Sequence, residues 1–181
     1  MKTSIVLLFL ILTTLVGITQ SVRIELNNEL STKSITTIKL YRFNSKNTCN
    51  QSKAVSVIFD NKISTCFDLV KTIKKENVKK IINCLRTKKT YGNGDVACFD
   101  TDYGLIMYNV KRIIVGYVNI SLFCNKLNAA PLIQEREYFV SGTLHKVGLS
   151  IVGRKKIMKL LGLSAVSPYP SQPPTGADMQ R

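Results

Sequence analysis

Residues 53–89 read KAVSVIFDNKISTCFDLVKTIKKENVKKIINCLRTKK, and this stretch has the strongest helical periodicity in the chain. In its first half, apolar residues recur at steps of three and four, which at about 100° per residue places them on one side of a helix. They are Val55, Ile58, Phe59, Ile63, Cys66, Leu69, Val70 and Ile73. A second stripe follows, out of phase by roughly a third of a turn. It consists of Val78, Ile81, Ile82 and Leu85. The pattern predicts a helical hairpin with helices at about 53–74 and 77–89.

The same stretch is strongly basic. From Lys71 to Lys89 it holds eight Lys or Arg against one acid, Glu76, in a chain of formal net charge +15. Such a face is either the solvated outside of an amphipathic hairpin or a surface that docks on a polyanion. The docking hypothesis predicts a basic binding face made of Lys71, Lys74, Lys75, Lys79, Lys80, Lys88 and Lys89.

The partner of this face is predicted to be acidic and extracellular: a glycosaminoglycan, an anionic membrane surface or an acidic protein. Nucleic acid is the weakest candidate, because no aromatic residues that could stack on bases are interleaved with the lysines.

The N-terminus has the pattern of a secretory signal peptide. One Lys precedes an apolar run from Ile5 to Leu12, and small and polar residues follow. The run is shorter than the roughly 20 residues that span a bilayer, which argues against an uncleaved anchor. We therefore predict that residues 1–20 are removed and that the protein is secreted. Residues 21–163 then form one domain, and 164–181 form a disordered tail rich in Pro and Ser.

The cysteine count is odd in a chain that is predicted to be oxidised. The five cysteines are Cys49, Cys66, Cys84, Cys98 and Cys124. This predicts two disulfides and one thiol that is free or joins two chains in a covalent dimer. Cys66 and Cys84 lie level in the predicted hairpin, whereas Cys84 and Cys98 flank the turn signal Gly92–Gly94. Spacing leaves both pairings open, and the polar surroundings of Cys49 make it the predicted odd cysteine.

Neither a metal site, a cofactor nor a catalytic site is predicted. No two cysteines have the short spacing of zinc ligands, and His145 is the only histidine. No combination of nucleophile, base and orienting group stands out, so the chain is predicted not to be an enzyme.

Two asparagines match the N-glycosylation pattern, and the protein is predicted to be a glycoprotein. Asn50 lies in a polar stretch that suits an exposed loop. Asn119 lies in an apolar segment, and if it is buried there it will carry no sugar.

The remaining segments complete an all-α prediction. Residues 103–124 are the most apolar part of the mature chain and are predicted to form central core helices. Residues 35–43 fit neither helix nor strand cleanly and are left open. Residues 148–162, GLSIVGRKKIMKLLG, alternate cationic and apolar residues as membrane-active peptides do, but the apolar residues spread around the helix.

We therefore predict a small disulfide-stabilised domain of four to five helices. The first functional hypothesis is a secreted, non-enzymatic binding protein that acts through the basic face. The alternatives are a secreted precursor or membrane-active peptide protein, and a carrier of a small apolar ligand. The cavity of that carrier would be lined by Phe59, Phe67, Leu105, Ile113 and Val118.

Overall fold

The computed structural model describes residues 23–26, 30–47, 56–92, 99–133, 137–140, 143–146 and 148–164, with the backbone alone at 137–140 and 143–146. The fold is mainly β, not all-α. The strands are β1 (Thr37–Phe43), β2 (Ile58–Phe59), β3 (Lys62–Ile63), β4 (Phe67–Thr72), β5 (Tyr91–Gly92), β6 (Tyr103–Tyr108), β7 (Ile114–Ser121), β8 (Lys126–Ala130), β9 (Glu137–Val140), β10 (Thr143–Lys146) and β11 (Gly148–Leu149). The helices are α1 (Lys75–Arg86) and α2 (Ile151–Leu161), and a 3₁₀ turn covers Lys88–Thr90.

A five-stranded antiparallel sheet organises the molecule. Its strand order is β4-β1-β6-β7-β8, and the central strands β6 and β7 pair with Leu105 opposite Val118. Nearly every residue of these two strands is buried. The pairs β2–β3, β5–β11 and β9–β10 form separate two-stranded ribbons.

Both helices belong to the core on one face of the sheet. The core residues from the sheet include Ile38, Leu40, Leu105, Met107, Val118 and Ile120. Those from the helices are Val78, Ile81, Ile82, Cys84, Leu85, Ile157, Met158 and Leu161. Because the apolar sides of both helices are buried in this core, their polar sides face solvent on the same side of the sheet.

The β2–β3 ribbon covers the opposite face. Val57, just before β2, fits against Gly104, where a Cβ would lie 2.9 Å from the Val57 Cγ1 atom and closer still to its other carbons. Directly opposite Gly104 in the sheet, Asn119 accepts a hydrogen bond from the Val57 N–H (2.8 Å) and donates one to the Ser56 hydroxyl (2.9 Å). The close packing of Val57 on Gly104 and the hydrogen bonds of the buried Asn119 amide therefore hold this ribbon on the sheet.

The predicted helix at 53–74 is wrong. Its described part forms β2, β3 and β4, because Asp60 and Asn61 adopt left-handed φ values of 49° and 55° and reverse the chain. Ile58 consequently pairs with Ile63 across the turn. Asp and Asn tolerate this conformation, which two-residue hairpin turns require. The Asp60–Asn61 dipeptide indicates this turn in the sequence, but a pattern based on apolar residues alone does not include it.

The predicted core helices at 103–124 are also wrong, since this segment is the β6–β7 hairpin. Its turn is built by the Asn109 side chain, which accepts hydrogen bonds from the N–H groups of Lys111 (2.9 Å) and Ile113 (3.0 Å). Strands that are buried on both faces lack the alternation by which a strand is recognised, so an apolar run of this kind is ambiguous.

Other segments agree better with the prediction. A helix was predicted at 77–89, and α1 runs from Lys75 to Arg86. The open segment 35–43 contains a strand, β1. The cationic segment 148–162 contains α2, which is capped by Ser150 at its start and by left-handed Gly162 at its end.

The predicted disulfide framework needs correction. No disulfide joins two residues within the ranges that the structure describes, and Cys84 is a buried free thiol, so both of its proposed bridges are wrong. Cys66 and Cys124 are also buried, but neither is a free thiol. Cys49, the predicted odd cysteine, and Cys98 fall outside the described ranges.

We expect Cys84 to be labelled by a maleimide only after unfolding. Its side chain is 1% exposed and its sulfur lies 3.6 Å from the Thr90 hydroxyl, so the native protein should react at least about 100-fold more slowly than the denatured one. Peptide mapping without reduction identifies the labelled residue. Rapid labelling of the native chain, or recovery of Cys84 in a bridged peptide, would contradict this assignment.

The predicted signal peptide, residues 1–20, falls outside the described ranges, as do residues 165–181 of the predicted tail. Within the described residues, no helix is long and apolar enough to cross a membrane.

Candidate functional site

The inner face of α1 is buried in the core, and its outer face is basic. The exposed cations are Lys75, Lys79, Lys80 and Arg86. Lys75 and Lys79 are one turn apart on the same side of the helix, and like charges at this spacing destabilise a helix by about 0.2–0.5 kcal/mol. Glu76, one turn before Lys80, offsets this repulsion with a favourable pair, so the charge pattern adds little net stability to α1 itself.

The outer face of α2 combines cations with exposed aliphatic residues. Its buried residues are Gly153, Ile157, Met158 and Leu161. Its exposed residues are Ile151, Val152, Lys155, Lys156 and Lys159. Lys155 and Lys159 repeat the unfavourable one-turn spacing that Lys75 and Lys79 have in α1.

A backbone junction places the two basic segments side by side. The Ser150 N–H donates to the Thr90 carbonyl (2.9 Å), and the Ser150 hydroxyl donates to the Lys89 carbonyl (2.8 Å). Gly153 comes so near to Thr90 that a Cβ there would lie 2.6 Å from the carbonyl carbon. Lys88 and Lys89 therefore flank the first turn of α2.

Lys71 extends this surface from the edge strand β4. A Cβ built on Gly162 would lie 2.9 Å from the Lys71 ammonium nitrogen, so this side chain reaches the C-terminal end of α2. A helix C-terminus carries partial negative charge, which favours a cation there.

We call the resulting surface the basic helical layer. It consists of Lys71, Lys74, Lys75, Lys79, Lys80, Arg86, Lys88, Lys89, Arg154, Lys155, Lys156 and Lys159. All are exposed except the half-buried Arg154, and Glu76 is the one acid on the two helices. Within the described part of the chain, none of these cations forms a salt bridge; the ion pair there joins Arg23 and Glu25.

The positive charge is concentrated in this layer. Residues 71–89 and 150–164 hold twelve cations and one acid, Glu76, whereas the other residues whose side chains are described hold nine cations and five acids. Because charges of one sign on one surface add their fields, the layer is where a polyanion is attracted most strongly.

All seven predicted lysines lie in the layer and are exposed. Sequence reasoning missed the contribution of α2, because Lys88 and Ile151 are far apart along the chain. The run Arg154-Lys155-Lys156 was a visible signal, but only the junction at Thr90 shows that the two runs share one surface. Their role in binding stays a prediction.

The residues proposed to line a ligand cavity do not converge. Leu105 and Val118 are in the core beneath the helices, whereas Phe67 is in the core on the opposite face. Phe59 is 53% exposed. The sheet therefore separates residues that one cavity would have to bring together.

The two glycosylation candidates differ. Asn50 lies outside the described ranges. Asn119 is 2% exposed, and both ends of its amide are hydrogen-bonded beneath the β2–β3 ribbon. A sugar on Asn119 would have to displace that ribbon, so we expect the folded protein to carry none there.

The titratable groups with perturbed pKa values are not part of the layer. Burial, reinforced by a hydrogen bond with Tyr41, raises the pKa of Tyr108, whose ring lies under the Lys39 ammonium at 5.2 Å. Hydrogen bonds from Asn47 and Asn44 lower the pKa of exposed Asp68. In the described ranges, no group of three or more His, Cys, Asp or Glu side chains is placed to hold a metal ion.

Comparison with known proteins adds no further guidance: no protein-family model, no curated protein and no solved structure matches this chain. The functional inference therefore depends on the geometry and charge of the basic helical layer.

Proposed function

We propose that this protein is exported and binds an acidic extracellular partner through the basic helical layer. The observation that supports the proposal is the gathering of twelve cations from two distant segments, none with a salt bridge among the described residues. A surface that only needed solubility would gain more from interspersed charges of both signs.

An acidic partner would relieve the unfavourable features of the layer. The like-charged pairs within α1 and α2 repel each other in the free protein, and a bound polyanion neutralises both members of each pair. Exposed cations of this kind mainly accelerate and orient encounter, so binding should depend steeply on salt.

Reversal of four charges in the layer tests the proposal. We expect Lys75→Glu, Lys79→Glu, Lys155→Glu and Lys156→Glu, combined in one layer variant, to weaken binding to heparin by about 100-fold near 0.15 M salt. These positions are exposed and glutamate is a good helix former, so circular dichroism should show an unchanged fold. Salt elution from a heparin column and titration calorimetry are the measurements.

A matched variant separates location from net charge. Lys33→Glu, Lys46→Glu, Lys62→Glu and Lys111→Glu change four exposed lysines outside the layer and lower the formal charge of +15 by the same amount. This control should elute near the wild-type protein. Equal weakening of both variants would overturn the proposal.

A further inference from the structure

Two of the most exposed aliphatic residues in the described chain lie side by side on the basic helical layer. Ile151 is 75% exposed and Val152 is 71% exposed, and both belong to the first turn of α2. Neither contributes appreciable burial to the fold, and β-branched residues are not favoured in helices. Their placement is therefore not explained by the stability of α2.

Cations surround this aliphatic pair. Lys155 lies one turn beyond Ile151 and Lys156 one turn beyond Val152, all on the exposed face of α2. Lys88 and Lys89 lie on the other side, because Ser150 is hydrogen-bonded to the Lys89 and Thr90 carbonyls. The first turn of α2 therefore exposes an aliphatic pair that lysines flank on two sides.

The combination distinguishes between kinds of acidic partner. A sulfated polysaccharide can neutralise the lysines but offers nothing apolar to Ile151 and Val152. A bilayer that contains anionic phospholipid satisfies both, with headgroup phosphates and carboxylates against the cations and the acyl boundary around the aliphatic side chains.

We propose, on the basis of the proposed function above, that the acidic partner is an anionic phospholipid surface and that Ile151 and Val152 enter its headgroup–acyl boundary. The layer then lies parallel to the membrane, with the sheet behind it. This is interfacial docking by folded helices and requires no membrane-spanning segment.

A single tryptophan gives a direct test, because the chain contains none. We expect Ile151→Trp to show a blue-shifted emission on vesicles of phosphatidylcholine with about one third phosphatidylserine, and quenching by brominated acyl chains. Val110→Trp is the matched control: Val110 is 80% exposed and precedes Lys111 and Arg112, but it lies in the β6–β7 turn outside the layer. Its emission should stay that of an indole in water. Absence of a shift and of quenching at position 151 would overturn the proposal.

Vesicle cosedimentation supplies the affinity. The double substitution Ile151→Ser and Val152→Ser should weaken binding to the phosphatidylserine vesicles by about tenfold or more, and leave retention on heparin unchanged. Pure phosphatidylcholine vesicles should bind neither protein. Equal binding of the double variant and the wild-type protein would contradict the insertion of Ile151 and Val152 into the bilayer. Retention on heparin without vesicle binding would overturn the lipid assignment and leave the proposed function standing. If the wild-type protein binds neither heparin nor the vesicles, the lipid assignment and the proposed function are both wrong.

Discussion

Substitution of Gly153 by alanine is expected to lower the free energy of unfolding by about 3 kcal/mol, although alanine is the better helix former. Helix propensity alone predicts a gain of about 0.5–1 kcal/mol. The added methyl group, however, would lie 2.6 Å from the Thr90 carbonyl carbon and 2.7 Å from its Cα. These are backbone atoms, so the clash can be relieved only by moving α2 away from the 3₁₀ turn.

Thermal unfolding followed by circular dichroism measures this effect. For a chain of this size, about 3 kcal/mol corresponds to a decrease in Tm of roughly 6–12 °C. Lys156→Ala is the matched control, because it introduces the same residue on the exposed side of the same helix, and it should change the stability by less than about 0.5 kcal/mol. An unchanged or raised Tm for Gly153→Ala would show that α2 does not pack on Thr90 as described.

The same substitution links the fold to the proposed surface. If α2 separates from the 3₁₀ turn, Lys88 and Lys89 no longer lie beside Lys155 and Lys156. We therefore expect Gly153→Ala to weaken binding to the anionic partner as well, without any change of charge.

Substitution of Asn119 by leucine is expected to cost about 3 kcal/mol. Leucine has a similar volume but can neither accept the Val57 N–H bond (2.8 Å) nor donate to the Ser56 hydroxyl (2.9 Å). The Val57 donor would then be buried without a partner, since Val57 is fully buried, and an unsatisfied buried donor costs about 1–3 kcal/mol. The β2–β3 ribbon should loosen first.

Denaturant unfolding and backbone hydrogen exchange of the ribbon measure this prediction. The control is Asn128→Leu, the same substitution at the exposed residue directly opposite Asn119 on β8. Its free energy of unfolding should stay within about 0.5 kcal/mol of the wild-type value. Similar losses for the two variants would mean that the buried amide is not what holds the ribbon.

The cysteines and the sheet show why part of the prediction failed. The bridge between Cys66 and Cys84, one of the two pairings that spacing leaves open, requires a helical hairpin that brings them level, but Cys66 precedes β4 and only Cys84 is helical. Because residues 58–72 form β2, β3 and β4 instead of a helix, the argument for that bridge no longer applies. The error therefore began with secondary structure, since an apolar repeat of three and four also occurs where a short ribbon is followed by a strand.

The sequence by itself determined the amphipathic helix α1, the exposure of the seven predicted lysines and the excess of positive charge. The helix follows from residues three or four positions apart, because α1 has both its apolar and its charged side within one short segment, and the charge follows from composition. Tertiary structure alone decided the rest. The strands within 58–72 and 103–121 depend on their partners in the folded sheet: β4 pairs with β1, β6 lies between β1 and β7, and Asn119 holds Val57. The two basic segments form one layer because Ser150 bonds to Lys89, 61 positions away. Local periodicity contains no information about such partners, because their free energy is gained only when the whole sheet and its helices have assembled.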